Sequence, residues 1–264
     1  MLMKGSGNLM ALKVMKFSGY PKFSEPIEFS REKKYSPGIR ISYRFYYLAR
    51  KLLNSEKLLT HLLDFTWLFQ RIAQEQTYYL MNTLQDTGDI LRPRNLTDIL
   101  ESTVKGQKVL DFGGGTGVVT HALLENGNSV VYLDHSQDAS NSAVTKFSNN
   151  PNFALLLPEK LSDCAIKSFD LVVLSHVLEH VQNRPSLLKE LRQLTRKIHI
   201  EVPDYSSDPL NYARSIFQLS VHKDDDHVVE FTIESLRSLL LEVDLTIEKI
   251  KVRDGCIVAL CRCD

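Results

Sequence analysis

Beyond about residue 90 the apolar positions fall into two alternating rhythms. Short apolar runs, typical of strands buried on both faces, are followed by longer stretches with apolar residues every three or four positions, typical of helices. The runs Lys108 to Phe112, Ser129 to Leu133, Phe153 to Leu157, Phe169 to Leu174 and Lys197 to Val202 are predicted strands. Thr116 to Glu125, Gln137 to Phe147, His176 to Thr195 and Ile233 to Val243 carry the helical spacing. Asn126-Gly127-Asn128 closes the first of these helices, as Gly and Asn commonly do. Leu245 to Val252 and Cys256 to Arg262 read as a hairpin turned at Arg253-Asp254-Gly255. Strand–helix alternation predicts an α/β fold with a parallel sheet covered on both faces, and the hairpin adds an antiparallel last strand.

The first part of the chain has a different rhythm. Residues 1 to 38 are broken by Pro21, Pro26 and Pro37 and read as irregular. Residues 39 to 85 lack Pro and Gly, and Leu48, Leu52, Leu59, Leu62, Leu63, Trp67, Leu68 and Ile72 recur at helical spacing, predicting two or three helices. The expected organisation is therefore residues 1–88 as an irregular N-terminus with a helical extension, and residues 89–264 as an α/β domain. The start of the chain makes a poor signal peptide, because Lys13 breaks the Leu9 to Val14 run and no small-residue cleavage site follows. No stretch reaches the roughly 18 apolar residues of a membrane span.

Composition changes this picture little. The 264 residues are 43% hydrophobic and 24% charged, ordinary globular values. Lys plus Arg and Asp plus Glu number 32 each, and zero net charge argues against bulk nucleic-acid binding. Cys164, Cys256, Cys261 and Cys263 make neither a disulfide framework nor a paired C-x-x-C zinc pattern, so reduced thiols in a cytoplasmic protein are expected.

The candidate chemistry begins at Asp111-Phe112-Gly113-Gly114-Gly115-Thr116-Gly117, between a strand and a helix. Glycines let the backbone turn sharply and approach a ligand, and the free N–H groups of the next helix face the same spot. Asp134, 19 residues after Gly115, ends the next strand, where a carboxylate can accept both ribose hydroxyls of an adenosine. A dinucleotide G-x-G-x-x-G fails in either frame, since its sixth place is Val118 or Thr120. The Gly-Lys-Ser/Thr of a nucleotide phosphate loop is absent too. The pattern D-x-G-x-G-x-G is matched in full.

On this loop, together with Phe169-Asp170-Leu171-Val172-Val173, Ser175-His176-Val177-Leu178-Glu179-His180-Val181 and Asp226 to Leu236, the sequence resembles class I S-adenosylmethionine-dependent methyltransferases. Within them it is similar to the branch of ubiquinone-type O-methyltransferases and bacterial small-molecule and sugar methyltransferases. The resemblance spans about residues 95 to 264. It implies a Rossmann-like seven-stranded, mostly parallel sheet with the last strand antiparallel. It implies S-adenosylmethionine as cofactor, bound by Asp111, Gly113, Gly115, Gly117, Asp134 and Ser175, with adenine near Glu159 to Leu161. Gly114 stands where many relatives carry Cys or Ala, an exchange expected to be harmless. Extensions before the glycine loop often form a lid in this superfamily.

Methyl transfer needs an aligned nucleophile, and a hydroxyl acceptor also benefits from a base. On the predicted helix after the fourth strand, His176, Glu179 and His180 share one face at i, i+3 and i+4. His176, His180 and His227 are the candidate catalytic residues. The relatives' Glu-x-x-Glu-His holds a divalent ion; here Glu179 and His180 match, His176 replaces the first Glu, and His222 or His227 can supply a distal ligand. A metal, a base, or a helix making only local hydrogen bonds remain open. His222 to His227 is either a solvated loop or a substrate-side loop. Residues 31–51 interleave Arg and Lys with Tyr35, Tyr43, Phe45, Tyr46 and Tyr47, which suits an anionic acceptor, peripheral contact with an anionic membrane, or ordinary packing with the cations outward. The expected activity is methyl transfer to a hydroxyl of a small molecule or sugar. The alternatives are a non-catalytic partner subunit of the same fold and an RNA methyltransferase, the latter opposed by the neutral charge.

Overall fold

In the computed structural model, which describes residues 37–83, 96–219 and 226–264, the strands are buried as their composition demands. Every residue of β4 (Phe169–Ser175) except Asp170 is buried, and β5 (Thr195–Pro203) has an equally continuous run from Ile198 to Val202. Strands of that kind must be covered on both faces. They join β1 (Lys108–Phe112), β2 (Ser129–Leu133), β3 (Phe153–Leu155), β6 (Thr246–Arg253) and β7 (Cys256–Arg262) in one sheet of order β3-β2-β1-β4-β5-β7-β6. The pairs from β3 to β5 are parallel, and β7 is antiparallel to both β5 and β6. The expected seven-stranded sheet is thus present, with its last strand reversed between β5 and β6.

Successive residues of each strand serve opposite faces. Leu110, Val172, Ile198, Ile200 and Ala259 pack with Leu188 and Leu191 of α6 (Arg184–Leu194) and Leu236 and Leu240 of α8 (Ile233–Glu242). Val109, Leu171, Val173 and Leu260 face Ile99 of α3 (Leu96–Glu101) and Val119 and Leu123 of α4 (Val118–Glu125). Helix α5 (Gln137–Phe147) starts at Ser136, whose hydroxyl accepts the Ala139 N–H. The β6–β7 turn is two residues long, and Asp254 (φ 50°) and Gly255 (φ 73°) both take the left-handed backbone that such a tight hairpin requires.

Lys108 to Phe112, Ser129 to Leu133 and Gln137 to Phe147 have their expected bounds. The stretch His176 to Thr195 does not form one helix. Strand β4 continues through Ser175, residues Leu178–His180 make a single 3-10 turn, and α6 begins only at Arg184. Pro185 explains the start, because its missing N–H suits a first helical turn and would break a helix running through it. Helix α7 (Pro209–Ile216) and α3 were not expected, being only 8 and 6 residues long.

The chain divides into two units at Arg94 and Asn95. The described part of the first contains α1 (Pro37–Leu52) and α2 (Ser55–Thr83), the latter opened by Asn54, whose side chain accepts the Glu56 N–H. Tyr43, Phe45 and Tyr47 of α1 are exposed beside Arg44, Arg50 and Lys51, whereas Arg31 to Tyr35 lie outside the described residues. Among the described residues no helix is long and apolar enough to cross a membrane. All four cysteines are free thiols, and three are buried. Burial pushes Cys261 up to about 12 and Cys263 to about 11, so both stay protonated.

Candidate active site

The glycine loop leaves β1 and turns through three left-handed positions, Gly113 (φ 73°), Gly115 (φ 50°) and Gly117 (φ 79°). Side chains there meet very different surroundings. A Cβ on Gly113 would come within 2.7 Å of Val177, and one on Gly117 within 2.7 Å of Phe147. A Cβ on Gly115 would point into open space, with nothing nearer than a backbone oxygen at 4.0 Å. Gly115 is therefore where a ligand can approach bare backbone.

The loop is held from β2. Gly113 and Gly114 donate to the Leu133 carbonyl, at 2.7 and 3.2 Å, and the Tyr132 hydroxyl donates to the Gly115 carbonyl at 2.8 Å. Burial, with Asp134 and Asp111 nearby, pushes the Tyr132 phenol well above its usual range, so it remains a donor. The Tyr132 ring also fills the space beside Gly114, and a Cβ on Gly114 would overlap it. Glycine at this position is thus accommodated, as expected, and in this chain it is the residue that the Tyr132 ring leaves room for.

Asp134 lies at the tip of β2 and is 8% exposed. One carboxylate oxygen accepts the Gly115 N–H at 2.8 Å and the other the Ser136 N–H at 2.8 Å. A carboxylate has about four acceptor positions, so capacity remains for two hydroxyl donors. Asp111 is buried beneath the loop and accepts the Thr120 hydroxyl at 2.6 Å. Ser175 ends β4 with its hydroxyl buried and without a hydrogen-bond partner. An orphaned hydroxyl in the neighbouring strand end suits a ligand group that would satisfy it.

The next residue, His176, also takes a left-handed backbone (φ 57°), a conformation costing on the order of 1–3 kcal/mol outside glycine. Its N–H donates to the Glu201 carbonyl at 2.8 Å, which extends the β4–β5 pairing as the chain turns away. Its ring lies 3.2 Å from Glu179 through Nδ1, and 3.7 Å from Cys256 Sγ and 3.8 Å from Glu201 through Nε2. Burial opposes charge on this ring, but Cys256, Glu179 and Glu201 outweigh it and hold the proton up to about 11. An imidazole already protonated at neutral pH does not serve as a base, which argues against that expected role for His176.

His180 does not share a helix face with His176. The 3-10 turn sends it toward the segment before α8, where Nδ1 is 3.2 Å from Asp226 and the ring meets His227 edge-on at 4.8 Å. His227 is nearly buried, and its Nδ1 lies 2.8 Å from Glu230 Oε1. The Val228 N–H donates to the Glu179 carbonyl, at 2.8 Å, and ties this segment to the turn. Glu179 is 1% exposed and its Oε2 has no partner. Glu179, His180 and His227 place one ligand atom each within 4.8 Å of one another. His222 lies outside the described residues.

Residues 75–250 match the family described as methyltransferase domain. The chain belongs to that family. Known structures repeat the fold of this methyltransferase. A SAM-dependent methyltransferase from Methanosarcina mazei is 19% identical, with TM-score 0.51, covering 62% of this chain and 96% of its own. One from Aquifex aeolicus is 15% identical, with TM-score 0.53, over 69% and 96%. Magnesium protoporphyrin IX methyltransferase from Synechocystis, solved with bound SAH, is 16% identical, with TM-score 0.52, over 65% and 83%. Among curated proteins none matches the sequence.

Sequence reasoning had not connected Tyr132, Glu201, Glu230 and Cys256 with the methyltransferase site. Glu201 carried a signal, an acid inside the apolar strand Ile198 to Val202. Tyr132 and Cys256 meet Gly115 and His176 across 17 and 80 residues, where no local pattern points to them, whereas Glu230 lies only three residues from His227.

Proposed function

We propose that this methyltransferase binds S-adenosylmethionine and methylates a hydroxyl of a small molecule or sugar. The observation that carries the reading is the open cradle at Gly115 beside Asp134. Gly115 offers bare backbone, Asp134 has acceptor capacity for the ribose hydroxyls, and Ser175 brings an unsatisfied hydroxyl to the same sheet edge. The uncapped N-terminus of α4, entered at Gly117, adds N–H groups. When bound, the cofactor supplies an activated methyl group on a sulfonium.

The protein's own part is alignment, exclusion of water and removal of the acceptor's proton. His227 is the candidate base, because the Glu230 carboxylate at Nδ1 favours the tautomer whose Nε2 can accept a proton. His180, edge-on to it, positions the acceptor. Free thiols support a reducing, cytoplasmic setting. Neutral net charge favours a small acceptor over RNA.

Calorimetry with S-adenosylmethionine tests the cofactor assignment. Asp134→Ala removes two charge-assisted hydrogen bonds to the ribose, about 3 kcal/mol, so affinity is expected to fall about 100-fold. Unchanged affinity would place the cofactor elsewhere. A methyl-label screen of acceptors tests turnover, with the partner-subunit reading favoured if none is labelled. His227→Ala is expected to lower kcat by about 100-fold or more while leaving cofactor affinity intact.

A second reading places a divalent ion on Glu179, His180 and His227, and the partnerless buried Glu179 Oε2 favours it. Metal found by elemental analysis and lost in His180→Ala, with activity sensitive to chelators, would favour it; activity indifferent to chelators would decide against it.

A further inference from the structure

Three side chains that the cofactor cradle leaves unused converge where β4 and β5 end and β7 begins. His176 follows the end of β4, Glu201 is in β5 and Cys256 opens β7, so they are distant in sequence. We propose that His176, Glu201 and Cys256 form a binding site for a thiophilic divalent cation of the zinc class.

Distance is the first argument. His176 Nε2 is 3.7 Å from Cys256 Sγ and 3.8 Å from Glu201 Oε1, and all three ligand atoms lie within 4.8 Å of one another. Bonds of about 2.0–2.3 Å to one tetrahedral ion would put neighbouring ligand atoms roughly 3.3–3.7 Å apart. The observed triangle needs to contract by only a few tenths of an ångström on its His176 edges. Sulfur, imidazole nitrogen and carboxylate oxygen together form a donor set that suits zinc and does not suit magnesium or calcium.

The surroundings supply the second argument. Ligating histidines usually give their other ring N–H to a carboxylate, which fixes the ring and strengthens the ligating nitrogen. Glu179 Oε1 stands 3.2 Å from His176 Nδ1, leaving Nε2 directed at Cys256 and Glu201. Glu179 and Glu201 are both nearly buried, and two carboxylates around one imidazole favour a captured cation.

Rigidity is the third. Ser175 pairs with Glu201 across β4 and β5, and Pro203 with Cys256 across β5 and β7, so the sheet ladder sets the spacing. The left-handed backbone of His176 turns its ring into the group while its N–H stays bonded to Glu201. Three protein ligands leave a fourth corner for water or for an oxygen or sulfur acceptor. The Glu179, His180 and His227 group shares no ligand with this site, Glu179 serving here only as the partner of His176 Nδ1, and it offers no sulfur.

The test needs neither cofactor nor substrate. Metal-free full-length protein is titrated with Co²⁺ and then Zn²⁺. One equivalent of Co²⁺ is expected to give a thiolate-to-cobalt charge-transfer absorption that Zn²⁺ abolishes by displacement. Cys256→Ser and Cys256→Ala are expected to lose the absorption and to weaken Zn²⁺ binding more than about 100-fold. Glu179→Gln should keep the absorption and weaken binding about 10- to 100-fold. Cys261→Ala and His227→Ala should leave both unchanged. Absence of stoichiometric binding would overturn the proposal, as would absorption that survives in the Cys256 variants. Binding lost in His227→Ala but kept in Cys256→Ala would also overturn it, by moving the ion to the other group. If the Cys256 variants fail to fold, His176→Gln carries the same test.

Discussion

Gly114 and Gly115 are adjacent, yet the structure gives them opposite tasks. The Tyr132 ring occupies the space beside Gly114, whereas Gly115 borders open space, which under the proposed function the cofactor would take. Substitution should separate the two. Gly114→Ala forces the ring or the loop to move, and overpacking of this kind typically costs about 1–3 kcal/mol. Its melting temperature should fall, and Tyr132→Val should recover part of the loss by removing the ring. Gly115→Val should cost less stability, chiefly the strain of a side chain at φ 50°, while cofactor affinity drops more than about 100-fold as the cradle fills. Thermal melts paired with calorimetry distinguish these outcomes. A stability loss at Gly115 as large as that at Gly114, with affinity retained, would contradict the assignment.

Most of the strands and helices were legible because each carries its own period. The apolar run Phe169 to Leu174 is buried whichever neighbours it has, and Asp254-Gly255 names its own turn. His176 to His180 was misread because periodicity does not register a left-handed residue, and only Pro185 hinted at a later helix start. The glycine cradle was legible for the same local reason, while the groups around His176 and His227 depend on contacts across 25 to 80 residues or on a turn geometry hidden from pattern. The polar anchor of α3 was hidden in the same way. Asp98 is nearly buried and accepts from Lys251 and, at 3.1 Å, from Arg253, fastening α3 to edge strand β6. Burial would raise the Asp98 pKa, but the hydrogen bonds and charges of the two cations outweigh it and hold the carboxyl below its usual range. A carboxyl depressed in the folded state stabilises above its unfolded pKa of about 4, and that contribution is lost as pH falls below it. Asp98→Asn should therefore melt lower at pH 7, by the equivalent of about 2 kcal/mol, and show a shallower acid limb below pH 4 than the parent protein. Equal acid limbs would show that this anchor contributes nothing.

The described residues comprise a helical pair and a sheet domain that has its own two-faced core. Among the described residues every strand and the whole glycine cradle fall after Asn95, and the clusters on both sheet faces are drawn from that part alone. A domain with a core on each side of a seven-stranded sheet has what independent folding requires. Residues 89–264 expressed alone are therefore expected to unfold in one cooperative transition and to bind S-adenosylmethionine within about threefold of the full chain, a difference of roughly 0.7 kcal/mol. If the preceding helices act as a lid over the acceptor, the same fragment should lose turnover, through a higher KM for the acceptor, more than it loses cofactor affinity. A fragment that folds and binds but turns over normally would remove the lid and leave the extension another task. One that fails to fold would show that α1 and α2 complete the domain and do not merely precede it, and the boundary near residue 88 would then have to move toward the start of the chain.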